Sequence, residues 1–330
     1  MSPGTRDAVL GGRILPELVR VADVDPGLLV TDFRSASAED ALRRRLATAE
    51  VLFTGWGCPP LDAGALALMP RLRAVVHAAG SVKHHVTPAC WERGLLVSSA
   101  AAVNALPVAE YTLAAILFSN KRVLESAHAY RAARGPMDLL SRYPAVGNYR
   151  RTVGLVGASF IGRRVLELLR PFDLRVLVHD PYTDPAELAG LGAEAVPLDE
   201  LLSRSDVVSL HAPELPQTRR LLDASRLALM PDGATLVNTA RGSLVDTAAL
   251  TAELLSGRLC AVLDHTEPEV LPAASPLYNL PNVLLTPHVA GSLGGELDRL
   301  AAAAVEELER YARGLAFQHP VDRSRLPYSA

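Results

Sequence analysis

Three polar residues carry the clearest chemical signal: Arg241 in Asn238-Thr239-Ala240-Arg241-Gly242, Glu269 in Leu263-Asp264-His265-Thr266-Glu267-Pro268-Glu269, and His288 in Leu285-Thr286-Pro287-His288. A histidine gives or takes a proton near neutral pH, a carboxylate beside it orients the ring and stabilises its protonated form, and an arginine grips a planar carboxylate in a two-pronged fork. Such a set suits hydride transfer to a 2-oxo acid. Taken singly, each residue has an ordinary reading: a surface arginine, a solvated glutamate in a proline-containing loop, a loop histidine bonded to backbone. Against those readings, each follows an apolar strand-like run, so all three fall at or just beyond carboxyl ends of strands, where doubly wound sheets bind ligands. His77, His179, His211 and His265 also sit at strand ends. A lone histidine therefore says little, and these four are read as structural or as cofactor contacts.

A second signal lies upstream. Thr152 to Gly157 reads as a strand ending in a glycine turn, Gly157-Ala158-Ser159-Phe160-Ile161-Gly162, followed by the helical run Arg163 to Leu169. Strand, glycine turn and helix N-terminus together make a pyrophosphate cradle of the G-x-G-x-x-G kind, with Ser159 in place of the middle glycine. A serine hydroxyl there can itself donate to a phosphate oxygen. Asp180 closes the next apolar run, where an acidic side chain accepts from adenosine ribose hydroxyls and repels a 2′-phosphate. NAD is therefore expected rather than NADP. The competing reading is that Asp180 merely caps the Asp-Pro turn that follows it.

Positioning these residues requires buried parallel strands, and the chain supplies two series of them. The first contains Leu28 to Thr31, Val51 to Thr54, Ala74 to His77 and Leu95 to Ser98, with helical stretches such as Glu39 to Ala49 between. The second begins after a polar connector, Arg131 to Arg150, and runs through Thr152 to Gly157, Leu174 to Asp180, Asp206 to His211, Ala234 to Ala240, Leu259 to Asp264 and Val283 to Thr286. Continuous rather than alternating apolar runs imply strands covered on both faces. The expected fold is α/β, with two doubly wound parallel-sheet domains. Val108 to Leu117 and Leu297 to Tyr311 read as long helices.

Composition excludes several function classes. The 330 residues exceed what one core usually serves, and 49% hydrophobic with 21% charged residues argues against disorder. A formal charge of −3 with scattered basic residues lacks the footprint of a nucleic-acid binder. Only Lys83 and Lys121 among the 33 basic residues are lysines, a general arginine bias that weakens any single arginine as a signal. Cys58, Cys90 and Cys260 are widely spaced, with no Cys-x-x-Cys and no histidine pair at zinc spacing, so neither a disulfide framework, nor a metal site, is expected and a reducing cytoplasm fits. No signal peptide is visible, and the apolar stretch Gly94 to Asn120 is interrupted by Asn104, Pro107 and Glu110, so it reads as strand, loop and buried helix rather than a membrane span.

With these segments in view, the sequence resembles the NAD-dependent D-isomer-specific 2-hydroxyacid dehydrogenases over nearly its whole length. Val108-Ala109-Glu110-Tyr111-Thr112, the Gly157 to Gly162 turn, Leu210-His211-Ala212-Pro213, Asn238 to Gly242, Asp264 to Glu269 and Thr286-Pro287-His288 carry the likeness. The resemblance implies that Arg241 binds substrate carboxylate and carbonyl, that His288 is the general acid/base and that Glu269 pairs with it. It implies NAD contacts at Thr112, Gly157, Ser159, Phe160, Ile161, Gly162, Asp180, Ala212, Thr218, Thr239, Asp264 and His288, and substrate contacts at Ala79, Gly80 and Ser81. It further implies a Rossmann cofactor domain, residues 105–290, inserted into a flavodoxin-like substrate domain, residues 1–104 and 291–330, and a cytoplasmic homodimer with a small-molecule substrate and no nucleic-acid or membrane partner. The two domains account for the length without the extra regulatory domain some phosphoglycerate dehydrogenases carry.

The departures are specific. Besides Ser159, His265 stands where a small or branched apolar residue is usual, Tyr111 where histidine is common, and the aspartate often found after Gly80 is absent, with Lys83-His84-His85 instead, which fits an unusual or more acidic substrate. Glutamate at 269, where the formate enzymes of the wider family use glutamine, argues against formate. Two other activities share such a site, an NAD(H)-sensing corepressor and a phosphite-oxidising relative; the complete Arg/Glu/His set disfavours the first.

Overall fold

The computed structural model describes every residue except 26, 27, 145, 325 and 327–330. The chain forms two compact units. One comprises Met1–Asn104 together with the segment from Ser292; the other is Ala105–Gly291.

The first unit is built on a parallel sheet of three strands in the order β1 (Val51–Thr54), β2 (Ala74–His77), β3 (Leu96–Ser99). Alternation along β2 sends Val75 into a cluster with Leu46, Leu66, Met69 and Val97, and Val76 into a second one with Val9, Ile14 and Leu18. Ala301, Ala304, Val305 and Leu308 of the helix Leu297–Ala312 join this second cluster, so the chain's last helix closes one face of its first sheet. Side chains of opposite pleat thus bury on opposite faces, each Leu or Val contributing about 1.5–3 kcal/mol. The expected strand Leu28 to Thr31 does not form: residues 28–30 are irregular. An apolar run becomes a strand only where a neighbour offers a ladder, and here Val30 packs onto the cluster holding Phe33 and Leu46 instead.

The second unit carries a parallel sheet of seven strands: β4 (Thr152–Val156), β5 (Arg175–His179), β6 (Glu194–Ala195), β7 (Val207–Leu210), β8 (Thr235–Asn238), β9 (Cys260–Leu263) and β10 (Val283–Leu285), ordered β10-β9-β8-β7-β4-β5-β6. The direction of winding reverses at β4, which pairs with β5 on one side and β7 on the other. Val153, Leu155, Val207, Val237 and Val262 face one core cluster, and Val156, Val208, Leu236 and Leu263 face the other. This two-sided burial is why the strands read as continuous apolar runs. The two-residue edge strand β6 has no such run and leaves no trace in the sequence.

The helix expected over Val108 to Leu117 extends over Ala101–Asn120, enclosing Pro107. The proline forfeits one backbone donor, and the anticipated loop shrinks to the neighbourhood of Ala100. Among the described residues this helix alone is long and apolar enough to cross a membrane by length and composition. Its Ala109, Ala115 and Ile116 are buried in the core cluster of the second unit. The connector after it is partly helical, with Val123–Ala133 and Leu139–Arg142.

His77, His85 and His211 are buried in these cores. Burial pushes His77 and His211 down to about 3 and His85 to about 4. The His77 and His85 rings lie 4.4 Å apart, so a charge on one opposes a charge on the other. Unfolded histidines take up protons near pH 6.5 whereas these do not until pH 3–4, so their contribution is present above pH 6.5 and is lost as pH falls below it. Each costs up to about 1.4 kcal/mol per pH unit in that window. The urea midpoint should therefore fall steadily from pH 7 to pH 5; a flat profile would show that these imidazoles carry charge in the folded chain.

Candidate active site

The glycine turn sits at the carboxyl end of β4, at the reversal point of the sheet. Gly157 has φ +103°, and a Cβ on it would lie 2.7 Å from the Ala212 nitrogen. A Cβ on Gly162 would lie 2.2 Å from the Gly157 carbonyl oxygen. Neither position admits a side chain, so backbone closes tightly around the N-terminus of the helix Phe160–Leu169, whose first amides have no intrahelical acceptor. Ser159 has φ −67° and ψ −176°, extended backbone open to any residue, so replacing the usual glycine costs the turn no strain. Its Oγ accepts from the Gly162 amide at 3.5 Å, leaving the hydroxyl proton to donate elsewhere.

At the end of β5, Asp180 Oδ2 accepts from the Ala158 amide at 2.6 Å and Oδ1 from the Tyr182 amide at 2.8 Å. The aspartate thus caps its own turn and ties it to the glycine turn at once. A carboxylate has about four acceptor sites, so two remain for ribose hydroxyls. The capping and cofactor readings are compatible. Together the tight turn, the helix N-terminus and Asp180 fit a dinucleotide.

Arg241, Glu269 and His288 lie beyond the ends of β8, β9 and β10, and the last two are in contact. His288 Nδ1 lies 2.8 Å from Glu269 Oε1. A carboxylate only accepts, so Nδ1 carries the shared proton and Nε2 is left outside this hydrogen bond. Both side chains are more than half exposed. Arg241 is anchored by its own neighbourhood: Nη1 donates to the Ala240 carbonyl at 2.6 Å, and Asn238 Nδ2 donates to the Arg241 carbonyl at 2.9 Å. The residue after it, Gly242, lies so close to the loop following β9 that a Cβ would come within 2.1 Å of the Thr266 carbonyl. That contact sets the spacing between the Arg241 and Glu269 loops.

His288 has φ +56°, a left-handed conformation that costs a non-glycine residue free energy and persists only when its surroundings enforce it. The enforcer is Asp264, 2% exposed at the end of β9. Its Oδ1 accepts from the Val289 amide at 2.8 Å and from Thr286 Oγ1 at 2.6 Å, and its Oδ2 accepts from the Ala290 amide at 2.9 Å. Its carbonyl accepts from the His288 amide at 3.2 Å. Tyr111 extends the network, its hydroxyl 2.9 Å from Thr286 Oγ1. Tyr111, at a position where histidine was expected to be common, therefore braces the histidine loop.

The remaining expected cofactor contacts line the same edge of the sheet. Ala212 abuts Gly157, and the buried Thr112 and Thr239 hydroxyls meet at 3.2 Å. Thr218 Oγ1 donates to the Pro213 carbonyl and accepts from the Leu215 amide, fastening the loop after β7. Phe160 is 61% exposed at the start of its helix, and Ile161 packs inward. Ala79, Gly80 and Ser81 follow β2 in the first unit, where the Ala79 carbonyl accepts from the Ala100 amide.

Sequence reasoning missed the place of His265 beside the proposed acid/base pair. Read as structural or as a cofactor contact, it lies with its ring centroid 3.9 Å from that of His288 and its Nδ1 3.5 Å from Glu269 Oε2. Burial, then the neighbouring His288 and Arg241, push it down to about 4, so it is neutral at physiological pH. Its spacing of four from Glu269 was the available signal. The Tyr111–Thr286 contact, spanning 175 residues, had none.

Comparison with known proteins agrees with this geometry. Residues 113–290 match the family described as D-isomer specific 2-hydroxyacid dehydrogenase, NAD binding domain. The chain is 36% identical over 251 residues to a D-3-phosphoglycerate dehydrogenase of Mycobacterium leprae, covering 75% of this chain and 46% of that one. It is 34% identical over 272 residues to a glyoxylate reductase of Aeropyrum pernix, covering 80% of each. A crystal structure of a Thermus thermophilus protein superposes with a TM-score of 0.75 at 35% identity, covering 94% of this chain and 97% of that one. A doubly wound sheet with a glycine turn and a strand-end aspartate at its reversal point defines a dinucleotide-binding protein; this chain belongs to the D-isomer-specific 2-hydroxyacid dehydrogenase family. It spans about half the length of the phosphoglycerate dehydrogenases it matches.

Proposed function

We propose that the protein reduces a small 2-oxo acid to the D-2-hydroxy acid, or runs the reverse reaction, with NAD(H). The observation that carries this reading is the 2.8 Å pair of His288 Nδ1 with the Glu269 carboxylate, on the sheet edge that holds the glycine turn. NADH, when bound, supplies the hydride. His288 donates its Nε2 proton to the carbonyl oxygen as negative charge grows there, and Glu269 stabilises the imidazolium from which that proton leaves. Arg241 grips the substrate carboxylate and carbonyl. The second unit is the cofactor domain, and the first, with Ala79, Gly80 and Ser81, is the substrate domain. Following NADH absorbance against glyoxylate, hydroxypyruvate and pyruvate tests the reading; tight NADH binding without turnover of any 2-oxo acid would refute it.

Asp180 argues for NAD over NADP. Direct titration should give NADH the higher affinity, because a 2′-phosphate would face the carboxylate and two of its accepting lone pairs. Equal or tighter NADPH binding would sink this assignment. We further assign the protein to the cytoplasm, since its three cysteines are free, and to a homodimer. Phe118, Leu139 and Leu140 are 57%, 54% and 87% exposed on the second unit, the kind of apolar surface a partner subunit covers. Light scattering on the purified chain reads the mass.

A further inference from the structure

One set of side chains at the site exceeds what proton transfer requires. The family's chemistry uses one histidine and one carboxylate; here a second histidine, His265, faces the same carboxylate. A ring nitrogen of His265, a Glu269 oxygen and a ring nitrogen of His288 all lie within 4.8 Å of one another. The two histidines approach opposite oxygens of the carboxylate, His288 at 2.8 Å and His265 at 3.5 Å. Zinc with bonds of 2.0–2.2 Å holds its ligand atoms roughly 3.4 Å apart in tetrahedral geometry, so small rotations of the exposed Glu269 and His288 complete the set. His265, 6% exposed, is the fixed member.

We propose that His265, Glu269 and His288 form a binding site for a borderline-soft divalent cation, zinc foremost, and that its occupancy inhibits the enzyme. Two imidazoles and one carboxylate with an open side suit zinc or cobalt; magnesium prefers oxygen ligands and retains its water. On binding, the cation displaces to solvent the proton that the imidazolium form of His288 carries on Nδ1 and takes that nitrogen's lone pair; Nε2 keeps its proton and the ring is left neutral. Nδ1 can then hold no proton, so His288 cannot become the imidazolium that donates from Nε2, and Glu269 is no longer available to stabilise it. No bond to substrate is made or broken and no electron is transferred. The inhibitory half of this proposal rests on the dehydrogenase reading; the binding half rests on the side chains alone.

The test is a titration of the full chain with Co2+, read by its visible d–d bands, and with Zn2+, read by calorimetry. The wild type should bind one equivalent. His265→Val, which restores the branched apolar residue usual at that position, and Glu269→Gln should each weaken binding by about 100-fold or more, exceeding the 10–100-fold typical of losing an outer-shell partner. Circular dichroism and NADH titration establish that both variants are folded. Unchanged cobalt bands in both variants, or no binding by the wild type at micromolar metal, would overturn the site. In turnover assays Zn2+ should inhibit the wild type and lose potency against His265→Val by a similar factor. Metal binding that His265→Val abolishes while wild-type turnover ignores Zn2+ would overturn the inhibitory role alone, and absence of any turnover would indict the dehydrogenase reading without touching the binding result.

Discussion

Replacing His288 by asparagine should lower kcat for 2-oxo acid reduction by about 10²–10⁴-fold, the usual worth of a positioned general acid. NADH affinity should change little, because the glycine turn and Asp180 follow β4 and β5 while His288 follows β10. Asparagine is the informative choice. His288 occupies φ +56°, a conformation that asparagine tolerates and alanine adopts at greater cost. The loop held by Asp264 through the Val289 and Ala290 amides should therefore keep its shape, and the loss can be assigned to the missing proton donor. A His288→Asn variant turning over at the wild-type rate would remove His288 from the chemistry, whatever its pairing with Glu269.

Arg241→Lys should lower kcat/KM for the oxo acid by about 10–150-fold, the equivalent of one charged hydrogen bond of about 1.5–3 kcal/mol. Lysine keeps the charge and loses the planar fork. In the native chain Nη1 is committed to the Ala240 carbonyl, which fixes the plane of the guanidinium and leaves its other donors for the substrate. An ammonium at that position can satisfy the carbonyl or the carboxylate with good geometry, but has no rigid frame to serve both. NADH binding should again be unaffected. Equal losses with substrates that lack a carboxylate would show that Arg241 does not recognise that group.

Much of the site was legible because its logic is local. The glycines at 157 and 162 announce a turn that only a missing Cβ allows, and the apolar run before them announces the strand that delivers it. Arg241, Glu269 and His288 were each visible as polar residues just past such runs. Where a helix met a proline, or a short apolar run met no neighbour, local rules misjudged the element, as at Pro107 and at Leu28 to Thr31. In both places tertiary packing outweighed the propensity of the segment.

The sequence by itself determined the α/β alternation, the dinucleotide turn and the three residues that could do the chemistry, since each is written in periodicity or in short-range steric necessity. Only the tertiary structure decided how those residues are held. Asp264 was expected to contact cofactor; the structure shows it bracing the backbone of the His288 loop with both carboxylate oxygens. Tyr111 reaches that brace through Thr286 from a helix far away in sequence. His265, adjacent to Asp264, turns toward Glu269 and meets His288 only because β9 and β10 are paired in register, Leu263 opposite Leu285. Contacts of this kind depend on which strand ends come side by side, and strand order follows from the packing of the whole sheet rather than from any one segment.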